Sequence, residues 1–254
     1  MNRRLGALLL LMATQASAEI PEAERRSGYH DMGASVQAMQ DDDMANPAML
    51  WVLDGEKLWA QRQGAAGRSC ADCHGEPSRM TGVAVRYPAF SESASRPISL
   101  DQRINQCRTE QQKAPAFDYE SRELLSLSAL VAMQSREHKI APPDDPRLRT
   151  FLEAGAATFN RRQGQLNLSC AQCHEDNRGK RLAGATIPQA HPTGYPIYRL
   201  EWQSLGSLQR RLRNCLIGMR AEPYAYGAPD YVALELYLMK RAAGMPFEAP
   251  GVRP

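Results

Sequence analysis

Cys70-Ala71-Asp72-Cys73-His74 and Cys170-Ala171-Gln172-Cys173-His174 repeat one five-residue pattern, C-x-x-C-H, at a spacing of 100 residues in a chain of 254. The spacing has a chemical reason. Two thiols one helical turn apart can each form a thioether to a haem vinyl group, while the next residue presents an imidazole to the iron. A redox dithiol or half of a zinc site shares the C-x-x-C element. The first would need strands around it, and the second further clustered ligands. Two copies that both end in histidine point to two covalently bound haem c groups, held through Cys70, Cys73, Cys170 and Cys173, with His74 and His174 on the irons.

The motifs belong to a longer internal repeat. At the same shift Gly55, Arg62, Gln63, Gly64 and Ser69 fall on Gly155, Arg162, Gln163, Gly164 and Ser169. At a shift of 108, Tyr87-Pro88, Leu100, Arg103, Cys107 and Pro115 fall on Tyr195-Pro196, Leu208, Arg211, Cys215 and Pro223, so the second copy carries eight extra residues. Apolar residues at three- and four-residue spacing predict helices at Leu50 to Gln63 and Leu148 to Arg162, before each motif. The same spacing predicts later helices at Glu123 to Gln134 and Tyr231 to Arg241. Strand signals are sparse. The expected fold is mainly α, with two tandem cytochrome c-like domains related by internal duplication and an N-terminal extension. The run Ala141-Pro142-Pro143-Asp144-Asp145-Pro146 cannot continue a helix. The domains therefore read as 49–141 and 147–254, after an extension at 19–48. The extension and the Pro/Gly-rich tail from Gly244 to Pro254 are expected along the surface.

Composition sets outer limits. Hydrophobic residues at 43% and charged residues at 23% supply packed cores and exclude global disorder. Residues 1–18 read as a secretory leader: a basic Asn2-Arg3-Arg4, an apolar Leu5 to Ala13 and a small-x-small Ala16-Ser17-Ala18. The mature chain is expected to begin at Glu19 and to be periplasmic. No later stretch approaches the ~18 apolar residues of a membrane span. The formal charge of +3 includes Arg3 and Arg4, so the mature chain is nearly neutral, which argues against nucleic acid as a partner.

Cys107 and Cys215 occupy matching places downstream of each motif, so six cysteines divide into two sets of two anchors and one extra. That match favours thiolate ligation of each iron, which would stabilise the ferric state and lower the potential. The alternatives are a Cys107–Cys215 disulfide, or buried thiols with Met80, Met133, Met219 or Met239 as ligand. Ser207 is placed to cap a helix carrying the stripe Leu205, Leu208, Leu212, Leu216 and Met219. Arg211 and Cys215, four residues apart, share one face of that helix. A guanidinium beside a thiolate lowers the thiol pKa and can hold an anion. Arg210, Arg213 and Arg220 add charge nearby, either at the site or as a solvated face, and the first copy shows no such cluster. His30, His138 and His191 lie outside the repeated positions and read as loop or surface residues, which leaves a peroxidase poorly supported.

The leader, the two motifs and Arg211-Leu-Arg-Asn-Cys215-Leu-Ile-Gly-Met219-Arg220 resemble the SoxA family, dihaem subunits of the SoxAX cytochromes of bacterial sulfur oxidation. So do the lead-in Gln40-Asp41-Asp42-Asp43, Asn46-Pro47 and Gly55…Trp59. The resemblance implies an L-cysteine S-thiosulfotransferase that joins thiosulfate to a cysteine of the carrier protein SoxY and releases two electrons. It implies His74/Cys107 and His174/Cys215 as axial pairs and Cys215 as the active-site residue, carried as a persulfide. Arg211 would bind thiosulfate, and a SoxX-like monohaem subunit would complete a heterodimer. The other function class compatible with these residues is a dihaem electron carrier without bond-making chemistry. The intact mass of the exported chain is expected to equal residues 19–254 plus two haems; a mass with one haem or none contradicts the duplication reading.

Overall fold

In the computed structural model, residues 20–254 are described, and the leader expected at 1–18 lies outside them. Each half is organised by two helices that cross at a glycine. Helix α1 (Ala34–Asp41) precedes α2 (Met49–Ala60), which packs on α5 (Arg122–Met133); in the second half α6 (Arg149–Asn160) packs on α9 (Pro229–Arg241). These are the four helices expected from the apolar spacing, with ends moved by no more than three residues. The earlier stop has a local cause. Gln63 and Gln163 leave the helix to bridge Arg68 and Leu168 across turns at Gly64 and Gly164, where φ is +70° and +68°.

The crossings explain another repeated pair. A Cβ on Gly55 would run into the backbone carbonyl of Ser126, and one on Gly155 into that of Ala233. Only glycine lets the helix backbones approach this closely. Both late helices are buried on nearly every face, with Leu124 through Ala132 enclosed on α5 and Tyr231 through Leu236 on α9. That exceeds the single stripe expected from the sequence, because each also packs across the seam between the halves. Ala84, Val85, Ala132 and Ile140 share one cluster with Met239, Ala242, Met245 and Phe247.

The C-x-x-C-H motifs sit on one-turn helices, α3 (Ala71–His74) and α7 (Cys170–His174). Each is followed by a hairpin, β1 (Ala89–Ser91) with β2 (Arg96–Ile98), and β5 (Ile197–Arg199) with β6 (Ser204–Gly206). Each hairpin leads into a cysteine-bearing helix, α4 (Leu100–Cys107) and α8 (Leu208–Gly218). The eight extra residues of the second copy form a further hairpin, β3 (Arg181–Leu182) with β4 (Ala185–Thr186). Strands of two or three residues are too short to leave an alternating pattern. Leu205 belongs to β6, so the stripe on α8 begins at Leu208.

The chain ends do not simply lie along the surface as expected. Residues Gly251–Arg253 form β7, parallel to β5, with Val252 fully buried. Gln40 of α1 accepts the Val252 N–H at 2.9 Å, and Asn46 Nδ2 donates to the Pro250 carbonyl at 3.1 Å. A short hairpin leaves an open edge, and a Pro/Gly-rich segment without a helix of its own satisfies its backbone groups there. Among the described residues, no helix is long and apolar enough to cross a membrane. Gly155→Ala should cost about 1–3 kcal/mol, since the added methyl strikes backbone rather than a movable side chain. Denaturant unfolding measures it, and an unchanged midpoint would show that the helices can separate freely.

Candidate functional site

Two cavities open beside the two motifs. The first, about 480 Å³, is lined by Cys70, Cys73 and His74 on one side and by Arg103, Ile104 and Cys107 of α4 on the other. The second, about 330 Å³, is lined by Cys170, Cys173 and His174, and across from them by Arg211, Leu212 and Cys215 of α8. Both volumes lie in the roughly 300–1,000 Å³ range of cofactor pockets. Every sequence-predicted site residue faces the cavity of its own half. Cys107 and Cys215 are unbonded and line different cavities, which separates the proposed disulfide partners. Met80 lines the first cavity and Met219 the second, while Met133 and Met239 line neither.

Serine caps set this geometry. Ser99 accepts the Gln102 N–H at 3.2 Å, and Gln102 returns the bond to the Ser99 N–H, a capping box that starts α4. Ser207 accepts the Arg210 N–H at 3.2 Å and starts α8. From each cap the arginine and the cysteine lie four and eight residues on, so both point to the same side. Ser169 forms a second capping box with Gln172 at the start of α7, which presents the Cys170 and Cys173 thiols.

The imidazoles are held differently in the two halves. His174 Nδ1 lies 2.7 Å from the Pro188 carbonyl, so Nδ1 carries the proton and Nε2 is left for a metal. Burial lowers its pKa and keeps the ring neutral. Pro188 lies just after the extra hairpin, whose Leu182, Ala185 and Thr186 also wall the second cavity. His74 is instead approached by the Trp59 ring, with centroids 5.7 Å apart, and Trp59 Nε1 donates to the Gly75 carbonyl at 2.8 Å. Phe159 takes the matching place in the second half. Neither Pro188 nor the hairpin walls were legible in the sequence, beyond the eight-residue difference in length.

The charges also depart from expectation. Arg210 stacks on Trp202 at 4.4 Å and sits 4.0 Å from Glu120, and Arg213 donates to the Tyr224 carbonyl over the Tyr226 ring. Arg220 is exposed. Among the described arginines, only Arg211 lines the second cavity, whereas Arg68, Arg86, Arg103 and Arg108 line the first. The arginine cluster read around Cys215 is therefore a property of the sequence and not of the cavity. Linear neighbours on a helix point around its whole circumference, while distant loops converge on a pocket. Arg211 forms no ion pair among the described residues; burial lowers its pKa, but Cys215 and Tyr195 beside it carry the net shift upward. Burial pushes the Cys70 thiol up to about 11 and the Cys170 thiol up to about 12. His30 and His138 are exposed, as expected, but His191 is buried, with burial driving its pKa down to about 4.

A family model for the SoxA/TsdA cytochrome c domain matches residues 54–140 and 154–247. The chain belongs to this family. A relative from Rhodovulum sulfidophilum, named L-cysteine S-thiosulfotransferase subunit SoxA, is 36% identical over 231 residues, covering 91% of this chain and 80% of that protein. A protein of the same name from Pseudaminobacter salicylatoxidans is 33% identical over 246 residues, covering 95% and 86%. The crystal structure of SoxXA from P. pantotrophus matches with a TM-score of 0.87 at 32% identity, over 91% of this chain and 87% of that one. A SoxA/TsdA cytochrome c domain carries covalently bound haem c, and the apolar cavities beside both motifs fit that group. Cys107→Ser is expected to alter one component of the haem spectrum and leave the other, because the two cysteines line separate cavities. Equal disturbance of both components would contradict that separation.

Proposed function

We propose that this chain is the dihaem subunit of a periplasmic L-cysteine S-thiosulfotransferase. The observation that carries the reading is the pairing of Arg211 and Cys215 on one face of α8, opposite Cys170, Cys173 and His174 across one cavity. In the reaction, thiosulfate and a carrier-protein thiol lose two electrons and one proton as a sulfur–sulfur bond forms, leaving a cysteine S-thiosulfonate on the carrier. The names of the relatives support this activity, and the fold match to SoxXA supports a SoxX-like monohaem partner. A SoxY-type carrier is the protein substrate.

Two haem c groups would be held by Cys70, Cys73, His74 and Cys107 in the first half and by Cys170, Cys173, His174 and Cys215 in the second. When bound, haem supplies a one-electron acceptor that passes charge onward. The protein's own part is positional. Arg211 keeps its charge in a half-buried place and has no competing carboxylate partner among the described residues, so its planar fork is available to a dianion. Cys215, carried as a persulfide, handles the sulfur atom four residues further along the same face. The second cavity is walled by Leu182, Ile187, Leu212 and Leu234, and an apolar wall strengthens the attraction between a guanidinium and an anion. The first haem would serve as a structural or redox group, since Cys107 carries no such role in the family resemblance.

Replacing Cys215 by Met offers iron a substitute ligand, so haem content and fold should survive while sulfur transfer is lost. Arg211→Ala should lower thiosulfate use by about 10- to 100-fold, the loss of one charge-assisted contact of ~1.5–3 kcal/mol. Arg211→Lys should restore only part of it. The assay is thiosulfate-dependent mass gain on a carrier-protein cysteine, with a SoxX-like partner and an electron acceptor present. Wild-type turnover by Cys215→Met would leave the chain a dihaem electron carrier.

A further inference from the structure

A third, smaller cavity of about 90 Å³ lies on the seam between the halves. Tyr87, Asp101 and Ser128 line it from the first half, and Tyr195, Ser207 and Glu235 from the second. The repeat makes its two sides directly comparable. Asp101 and Gln209 are each the second residue of their helix, α4 and α8. Ser128 and Glu235 each stand two residues beyond the carbonyl that meets Gly55 or Gly155. In the first half the acid is on α4, and Ser128 Oγ of α5 donates to Asp101 Oδ1. In the second half the roles are exchanged: the acid is Glu235 on α9, and the amide of Gln209 on α8 opposes it. This exchange brings two carboxyl groups onto one cavity.

The surroundings offer them little positive charge. Glu120, a third carboxyl, accepts the Ser207 N–H at 3.4 Å, stands 4.0 Å from Arg210, and leaves its buried Oε1 without a partner. Tyr119 and Tyr226 stack 6.0 Å apart beside the group, Arg96 faces the first phenol, and Arg213 faces the second. Among the described residues, no lysine, arginine or histidine lines the cavity. Glu235 is only 7% exposed. An unpaired buried carboxylate is costly, and the group avoids that cost by keeping its proton. Burial raises Asp101 to about 6 despite the Ser128 bond, and raises Glu235 to about 8 with help from Asp101.

We propose that this seam is a proton-operated clasp: the Asp101–Glu235 pair keeps at least one proton, on Glu235, while the halves are closed on each other and gives it up when the seam opens to water. The inference rests on the fold and is independent of the sulfur-transfer reading. Its direction follows from the carboxyls' preference for protons in the closed state. Their contribution to closure is complete below the ordinary carboxylate range near 4, and it is lost as pH rises through about 6 and about 8. Tyr87 and Leu100 line both the seam cavity and the first motif's cavity, so opening the seam also loosens the wall of the latter.

The test is hydrogen–deuterium exchange of the full haem-loaded protein across pH about 5 to 9, corrected for intrinsic exchange chemistry. Protection of residues 99–104 and 231–236 should fall by up to about tenfold per pH unit for each carboxyl that ionises on opening. Asp101→Asn combined with Glu235→Gln should flatten that dependence. A pH-independent seam in the wild type, or a wild-type slope in the double variant, overturns the proposal. Infrared spectroscopy provides a test that does not depend on the double variant folding. At pH about 7 the wild type should show the band of a buried protonated carboxylic acid, which Glu235→Gln removes; no such band in the wild type also overturns it.

Discussion

The side-chain oxygen of Ser207 accepts the backbone N–H of Arg210, and this bond fixes where α8 begins. A start one residue earlier or later would turn every side chain by about 100° around the helix axis. Arg211 and Cys215 would then be turned away from the direction in which they now line the cavity. Ser99 exerts the same control over α4, with a full capping box. The cysteine-to-motif geometry in both halves therefore rests on two serines that never touch the cavity chemistry.

Duplication supplied a common frame, and loops made the halves unlike. The motif helices, the capped cysteine helices and the glycine crossings recur with little change. The second half adds a hairpin that brings the Pro188 carbonyl to His174 and closes one side of the cavity with Leu182 and Ala185. The first half leaves more room, and four arginines from different segments gather there. A crowded cavity with one unpaired guanidinium suits selective handling of a small anion. A roomier cavity with several cations suits holding a charged cofactor.

The seam is where the halves become one protein. Residues 137–140 pair with the segment from Gly244 to Phe247: the Ile140 N–H reaches the Met245 carbonyl at 2.9 Å, and the Phe247 N–H reaches the His138 carbonyl at 2.9 Å. Strand β7 then ties the last residues to β5 and to α1, so the C-terminal segment and α1 both brace the second half's hairpin. This arrangement packs α5 and α9 on nearly every face and explains their extensive burial. It also encloses Glu235 and half-buries Asp101, residues that an amphipathic reading of each helix alone would assign to solvent.

Several features were legible in the sequence because they are local or repeated. The C-x-x-C-H spacing is one helical turn, the glycine pairs mark tight crossings and turns, and the Arg-x-x-x-Cys spacing is one face of a helix. Those patterns sufficed for the fold class, the positions of four helices and the placing of each C-x-x-C-H motif and its downstream cysteine on one cavity. The remainder depended on contacts between segments far apart in the chain. Which arginines face a cavity depends on how loops converge: Arg210, Arg213 and Arg220, which the sequence leaves open between the site and a surface face, lie outside it, while Arg68, Arg86 and Arg108 line the first cavity with no local pattern to mark them. The burial of His191 against the Arg26 segment, the strand that Gly251–Arg253 adds to β5 and the shared seam carboxyls likewise arise only when segments far apart in the chain pack together. Periodicity along a chain reports which face of an element is apolar, but not what the opposite face will meet.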